Sequence, residues 1–278
     1  MSTRINHNIL ALTAQRNIWN TQTELDQAVT RLSSGLRINY AWDDPAGLAV
    51  SERFRSQISS MDEAERNANY DINMMQTGEG ALSVIDEKLT RLRALAIEAS
   101  NGALSTADRA SLDVEFQQLV SEINRIALVT NYNGLHLLDG SFSSTGIKFH
   151  IGTFNVTNED YYYVTFGDMT ASALGIDTAG VLDTTAAQNA INAIDAAITS
   201  KDTERTRLGA YVERLQGTIQ QLQIARENAS ASESQIRDAD IATEMSKFVK
   251  SQILMQTGVS MLAQANMLPQ IIAGIVNG

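Results

Sequence analysis

Apolar residues recur at every seventh position near both ends of the chain. In the first 36 residues two such series run side by side: Ile18, Leu25 and Leu32, and Ile5, Leu12 and Trp19. After residue 240 the two series are Ile241, Phe248, Met255 and Leu262, and Leu254, Met261 and Leu268. Two apolar stripes on one helix require burial on more than one side. We therefore predict a helix of roughly 40–50 Å at each end, which pairs with the other and assembles with further copies.

A longer helix is predicted from residue 45 to about residue 100. Asp44 and Pro45 provide an N-cap acceptor followed by proline at the first helical position, and Asn101-Gly102 is a good stop signal. Between them apolar residues repeat at intervals of seven: Phe54, Met61, Ala68, Met75, Leu82, Leu89 and Ala96. Six consecutive heptads are typical of a coiled coil or a helical bundle.

Two further helices enclose a segment of different character. A third helix opens at residues 105–108 and stops near Asn133-Gly134, and a fourth runs from near Ala186 past Leu222. Between them, at about 135–183, glycine, serine, threonine and aromatic residues alternate, as in GIKFHIG and YYYVTFG. This pattern predicts short strands and hairpins.

These elements predict a mainly α fold: a long antiparallel helical bundle or coiled coil with a small β-hairpin insertion. The helices of the two chain ends lie side by side, because the insertion folds the chain back on itself. We expect residues 1–42 and 238–278 to form a terminal coiled-coil assembly domain. Residues 43–237 form a helical rod domain that carries the β-hairpin region at about 135–183.

Composition narrows the classes of partner. The formal net charge of −11 disfavours nucleic acid, because phosphates are bound by clustered lysine and arginine. Residues 251–278 carry no charged side chain, but glutamine, serine and asparagine interrupt them too often for a membrane span. Cysteine is absent, and the first residues lack the apolar stretch of a cleaved signal peptide. By these criteria alone the protein would be expected in the cytoplasm.

Candidate chemistry is sparse. The three histidines, His7, His136 and His150, are far apart and lack ligand spacing for a metal. Phosphate-loop and nucleophile-elbow motifs are also missing. The Asp43-Asp44 pair is explained more simply by helix capping than by catalysis. We predict no enzymatic activity, no metal and no cofactor.

Several long motifs resemble those of bacterial flagellin. They lie at 32–58 (LSSGLRINYAWDDPAGLAVSERFRSQI), 66–82, 132–140, 230–245 and 258–270, in the family's order. The IRDAD block at 236–240 and the LAQAN block at 262–266 favour the filament subunit over its alternative, the related hook–filament junction protein. Trp42 stands where the family usually has a small or polar residue. The short middle indicates a form without the outer variable domains.

The resemblance implies a structural subunit that polymerises into the flagellar filament for motility. It implies unfolded export through the flagellar export apparatus, with an export chaperone bound at the C-terminal region. It further implies contact with the filament cap and junction proteins, and an extracellular endpoint in place of the cytoplasmic one. Charge-poor chain ends are compatible with folding that is completed only on assembly.

Innate immune recognition is a further expectation from the resemblance. Flagellins that are detected by Toll-like receptor 5 use an arginine and a leucine on the second rod helix and a glutamate on the third. Arg91, Leu95 and Glu115 occupy the matching positions. Arg91 and Leu95 are four residues apart, a spacing that places them on one helix face.

Overall fold

The computed structural model describes the backbone of residues 7–276 and the side chains of residues 7–267. In this part of the chain five helices and four short strands follow one another. They are α1 (Ile9–Ser34), α2 (Pro45–Ala99), α3 (Thr106–Val129), β1 (Asn131–Tyr132), β2 (Leu135–His136), β3 (Ile147–His150), β4 (Tyr161–Val164), α4 (Thr184–Arg237) and α5 (Ile241–Val276). The predicted mainly α architecture is confirmed.

The helix ends follow the capping signals of the sequence. Asp44 accepts the backbone N–H of Gly47 at 2.8 Å, and Pro45 is the first residue of α2. Ser105 and Asp108 form a reciprocal capping box at the start of α3. Gly35 ends α1 in the left-handed conformation, with φ of 73°. Local side-chain chemistry therefore sets where these helices start and stop.

The segment between α3 and α4 contains two antiparallel hairpins. Asn133 and Gly134 both have positive φ, 49° and 82°, and connect β1 to β2 through a tight two-residue turn. Strands β3 and β4 pair with Phe149 opposite Tyr162, and both of these rings are buried. The predicted strands are thus present, although most of the segment is turn and loop.

The chain divides into two compact units. We call residues 1–56 and 228–278 the terminal unit, and residues 57–227 the rod unit. The boundaries at 42/43 and 237/238 that the sequence suggested for functional domains stay a prediction.

The rod unit has a closed hydrophobic core. The heptad series of α2 is fully buried at Ala68, Met75, Leu82, Leu89 and Ala96. Facing residues on the other elements complete this core: Phe116 and Ile123 of α3, Phe149 and Val164 of the hairpin, and Ile194, Leu208 and Leu215 of α4. Each buried aliphatic or aromatic side chain of this kind contributes about 1.5–3 kcal/mol relative to exposure.

Ion pairs fix the pairing of α2 with α4 within the rod unit. Lys201 contacts Asp86, Arg205 contacts Glu79, and Arg226 contacts Glu65 at 3.0 Å. Residue numbers fall on one helix as they rise on the other, so the two helices are antiparallel. The side chain of Lys201 is 2 % exposed. Burial alone would lower the pKa of Lys201, but hydrogen bonds to Asp202 and Asp86 raise it above its ordinary value.

A buried carboxyl group interrupts the core of the rod unit. Asp71 of α2 is 9 % exposed, and within the described residues its Oδ2 has no hydrogen-bond partner. The hydroxyl of Tyr162 is equally unpaired there, and the Arg214 guanidinium lies 4.0 Å from the centroid of that ring. Burial raises the pKa of Asp71 from 3.8 to about 7, because the charged form is poorly solvated. The folded protein therefore holds this proton more tightly than the unfolded chain.

Stability should fall as the pH rises from about 4 to about 7, because over this range the unfolded chain has released a proton that the folded state still holds. We expect Asp71→Asn to remove this penalty, since the amide stays neutral. Wild type should lose about 1–3 kcal/mol more than the variant between pH 5 and pH 8, as measured by urea unfolding. Glu63→Gln, at an exposed glutamate, is the control. Parallel pH profiles of wild type and Asp71→Asn would contradict the assignment.

Candidate assembly surface of the terminal unit

The two connections of the terminal unit are bonded to each other. The backbone N–H of Arg37 donates to the carbonyl of Arg237 at 2.7 Å, and that of Ala239 donates to Gly35 at 2.9 Å. The Arg37 guanidinium also donates to the carbonyl of Ile236 at 2.6 Å. These bonds hold the segment after α1 next to the segment before α5. The end of α1 and the start of α5 therefore lie side by side.

Helices α1 and α5 pack antiparallel along the length of α1. Near one end, the amide of Asn8 donates to the carbonyl of Ala265 at 2.7 Å. Near the other, Arg31 lies 3.5 Å from Glu244. Glu244 is 5 % exposed and also accepts from Lys247 at 2.7 Å, and its place in the first turn of α5 favours a negative charge. The predicted pairing of the terminal helices is confirmed.

The contact between these helices alternates large and small side chains at intervals of three and four. On α1 the inward residues are Ala11, Ala14, Ile18, Thr21, Leu25, Ala28 and Leu32. On α5 they are Glu244, Phe248, Ser251, Met255, Gly258, Leu262 and Ala265. We call these fourteen residues the seam. A Cβ atom at Gly258 would lie 2.9 Å from Cγ1 of Ile18, so a large residue on α1 packs directly on a glycine of α5.

The predicted assembly residues fall into two groups. Leu25, Leu32, Phe248, Met255 and Leu262 are half-buried in the seam. Leu12, Trp19 and Ile241 are exposed, Trp19 to 76 %. Ile5 and the side chain of Leu268 lie outside the described residues. The structure thus joins the first group within the chain and leaves the second open to solvent.

Each terminal helix therefore has one stripe inside the pair and apolar residues outside it. The exposed set on α1 comprises Ile9, Leu10, Leu12, Trp19 and Val29. The exposed set on α5 comprises Ile241, Met245, Val249, Ile253, Leu254, Val259, Met261 and Met267. We call these thirteen residues the open stripes. Large apolar residues exposed in this number on two paired helices indicate a candidate interaction site.

The small residues of the seam are not among the assembly residues that the heptad pattern predicts. Ala28, Ser251, Gly258 and Ala265 lie between the large residues, and they let the two backbones approach closely. Their signal is present in the sequence, because each stands three or four positions from a large apolar residue. Apolar periodicity alone does not reveal them, since it counts only the large members of the contact.

The residues expected to meet an immune receptor lie in the rod unit and are not all accessible. Arg91 and Glu115 form a bidentate pair at 2.7 and 3.0 Å on the exposed surface of α2 and α3. Their hydrogen bonds raise the pKa of Arg91 and lower that of Glu115. Leu95 is fully buried in the core. Arg91 and Leu95 are one helical turn apart, but only Arg91 is exposed to solvent. The receptor role of Arg91, Leu95 and Glu115 stays a prediction.

The described residues contain no group of three or more histidine, cysteine, aspartate or glutamate side chains able to hold a metal ion. Of the helices in that part of the chain, none is long and apolar enough to cross a membrane. The open stripes are therefore the best candidate for a functional surface in this part of the chain.

A helical unit with a closed core and a helix pair with open apolar stripes are the features of a self-associating structural subunit. Family comparison is specific on this point. Residues 5–143 match the bacterial flagellin N-terminal helical region, and residues 191–274 match the bacterial flagellin C-terminal helical region. The chain belongs to the bacterial flagellin family.

Curated relatives extend over nearly the whole chain. It is 41 % identical to flagellin FlaB1 of Treponema pallidum, over 98 % of this chain and 99 % of that protein. It is 43 % identical to the flagellar filament core protein flaB2 of Brachyspira hyodysenteriae, over 96 % and 97 %. Flagellin of Halalkalibacterium halodurans is 42 % identical, also over 96 % and 97 %. Relatives of this length agree with a short form that lacks the variable domains.

A solved structure shows the shared fold. The putative flagellar hook-associated protein from Vibrio parahaemolyticus superposes with a TM-score of 0.54, covering 70 % of this chain and all of that one. The sequence identity is 14 %, so the likeness extends to the fold alone. It does not favour a junction protein over a filament subunit.

The large-to-small packing of the seam yields a test at Gly258. A valine there should clash with Ile18 and weaken the terminal pair by about 1–3 kcal/mol. We expect Gly258→Val to raise the critical concentration for filament elongation, measured by sedimentation, and Ile18→Ala to offset part of that rise in the double variant.

Gly217→Val is the matched control, because Gly217 is also helical and a Cβ atom there meets nothing within 4 Å. Strictly additive effects of Gly258→Val and Ile18→Ala would show that the two residues do not pack together in the filament.

Proposed function

We propose that the chain is a structural subunit that polymerises into the flagellar filament. The observation that carries this proposal is the terminal unit, whose seam is closed while its open stripes remain in solvent. Relatives named as flagellins and filament core proteins, at 41–43 % identity over nearly all of the chain, support it. They favour the filament subunit over the junction protein.

Assembly would be driven by burial of the open stripes against other copies. In a helical polymer each contact joins two different patches, so the contact repeats without closing. Residues 251–278 add no charge to that contact, although the whole chain carries −11. The absence of like charges allows many copies of α5 to approach one another.

Folding of the chain ends would be coupled to this assembly. In a single copy each terminal helix buries only the face that forms the seam, while several of its large apolar side chains stay exposed to water. Helices with little tertiary support are marginal in water. We infer that residues 1–42 and 238–278 act as the assembly domain and become fully stable when neighbouring copies cover the open stripes.

We further infer the route and the partners that the family implies. The chain would leave the cell unfolded through the flagellar export apparatus, with a chaperone at its C-terminal region. It would then add beneath the filament cap, beyond the junction proteins, and reside in the extracellular filament. A sequence without cysteine suits this route, because an unfolded chain cannot form wrong disulfides.

Open-ended elongation is the decisive test. Purified chain, mixed with sheared fragments of its own filaments, should lengthen them continuously, as seen by electron microscopy. A filament subunit propagates because each added copy presents a new set of open stripes. A chain that binds fragment ends once and stops would be a junction or capping protein instead.

The uncharged polar residues of α5 allow a separate test of the channel surface. We infer that Gln256 and Gln264, both exposed, face the channel through which later subunits travel. Gln256→Lys should elongate normally from seeds in solution, because no transport is needed there, but should give shortened filaments on cells. Normal filament length on cells would remove the channel role without affecting the filament role.

Toll-like receptor 5 recognition is proposed through the exposed Arg91–Glu115 pair. We expect Glu115→Ala to reduce the receptor-reporter response to purified monomer about tenfold, with little change in stability, because an exposed ion pair stabilises a fold weakly. Leu95→Ala should instead destabilise the rod unit by about 2–5 kcal/mol, since it empties a fully buried site.

Glu122→Ala is the control for the receptor experiment. Glu122 lies on the same helix and also forms an exposed pair, with Arg125 at 2.6 Å. An unchanged response to Glu115→Ala, in an assay where a known agonist is active, would refute the receptor contact.

A further inference from the structure

The connection between α1 and α2 carries a pair of stacked aromatic rings in solvent. The ring centroids of Tyr40 and Trp42 are 4.5 Å apart and their planes differ by 12°. Tyr40 is 50 % exposed and Trp42 is 76 % exposed. Two large rings that stack on each other and still face water are an unusual surface feature, because each buries 150–250 Å² when it is covered.

The backbone holds this stack in place. The carboxylate of Asp43 accepts the backbone N–H groups of Asn39 and Tyr40, both at 3.0 Å. The backbone N–H of Asp43 in turn donates to the carbonyl of Tyr40 at 3.0 Å. Ile38 anchors the loop and is 1 % exposed. The rings are therefore fixed before any partner arrives, which reduces the entropy lost on binding.

The stack has no evident use within a single copy. Trp42 contributes little to the core at this exposure, and the capping of α2 is performed by Asp44. A fixed pair of tyrosine and tryptophan rings is typical of a protein–protein contact, in which these two residue types are enriched.

We propose that the Tyr40–Trp42 stack is a contact to a second copy of this chain. Both tryptophans of the chain, Trp19 and Trp42, lie in the terminal unit, and both are exposed to 76 %. The stack thus adds an aromatic anchor to the unit that also carries the open stripes. The inference rests on the proposed filament function, and it goes beyond that function, because it places a contact in the α1–α2 connection, outside the two terminal helices.

Hydroxyl-radical footprinting with mass spectrometry tests the contact in the unaltered protein. Trp42 and Tyr40 should oxidise at least about fivefold more slowly in filaments than in monomers, and depolymerisation should restore the monomer rate. Equal rates for Trp42 in the two states would overturn the inference while leaving the filament function intact. A chain that never elongates from its own fragments would overturn both.

A variant provides the second measurement. Trp42→Ala should raise the critical concentration for elongation about tenfold, the effect of removing an aromatic hot spot. Phe154→Ala is the matched control, because Phe154 is 63 % exposed in the rod unit. Amide hydrogen exchange of α2 should be unchanged in Trp42→Ala, since the side chain lies outside the core. A wild-type critical concentration for Trp42→Ala would count against the contact.

Discussion

The packing of large side chains on small ones between α1 and α5 is the contact on which the rest of the terminal unit depends. It brings the two backbones close, as the 2.9 Å separation of a Cβ atom at Gly258 from Ile18 illustrates. A close approach uses a narrow seam on each helix and turns the neighbouring apolar residues outward. The same geometry that joins the chain ends therefore also creates the open stripes.

The two units solve the problem of burial in different ways. In the rod unit, α2, α3, α4 and the β3–β4 hairpin surround one core, and charged residues are kept at its border in ion pairs. In the terminal unit, α1 and α5 pack on each other, and thirteen large apolar residues of these two helices are exposed within the part of the chain whose side chains the structure describes. The rod unit thus buries its large apolar residues within one chain, whereas the terminal unit leaves many of them available for the contacts with other copies proposed above.

Much of this arrangement could be predicted from the sequence, because helices, caps and turns depend on neighbouring residues. The Asp44-Pro45 start, the Ser105 capping box and the Asn133-Gly134 turn are local signals, and all three appear in the structure. The paired chain ends followed from heptads at both termini. The structural setting of the candidate sites was harder to predict.

A heptad pattern does not indicate which of two apolar stripes on a helix is buried within the chain and which is exposed. Leu25 and Trp19 belong to equally regular series, yet Leu25 is half-buried and Trp19 is exposed. The small residues opposite decide this, and they carry no apolar signal of their own. Leu95 shows the same limit, since a spacing of four from Arg91 defines a face but not what covers it. The burial of Asp71 depends on contacts distant in sequence, which no local pattern encodes.

The ion pairs of the rod unit have a consequence for the register in which α2 and α4 pair. A heptad pattern permits helices to pair with an error of seven residues, about 10 Å, at little cost in apolar contact. Such a slip in one direction would bring Lys201 to the level of Arg93 in place of Asp86. The Lys201–Asp86 contact thus favours one register of α2 against α4 over this slip, so that each copy refolds to the same alignment of the two helices.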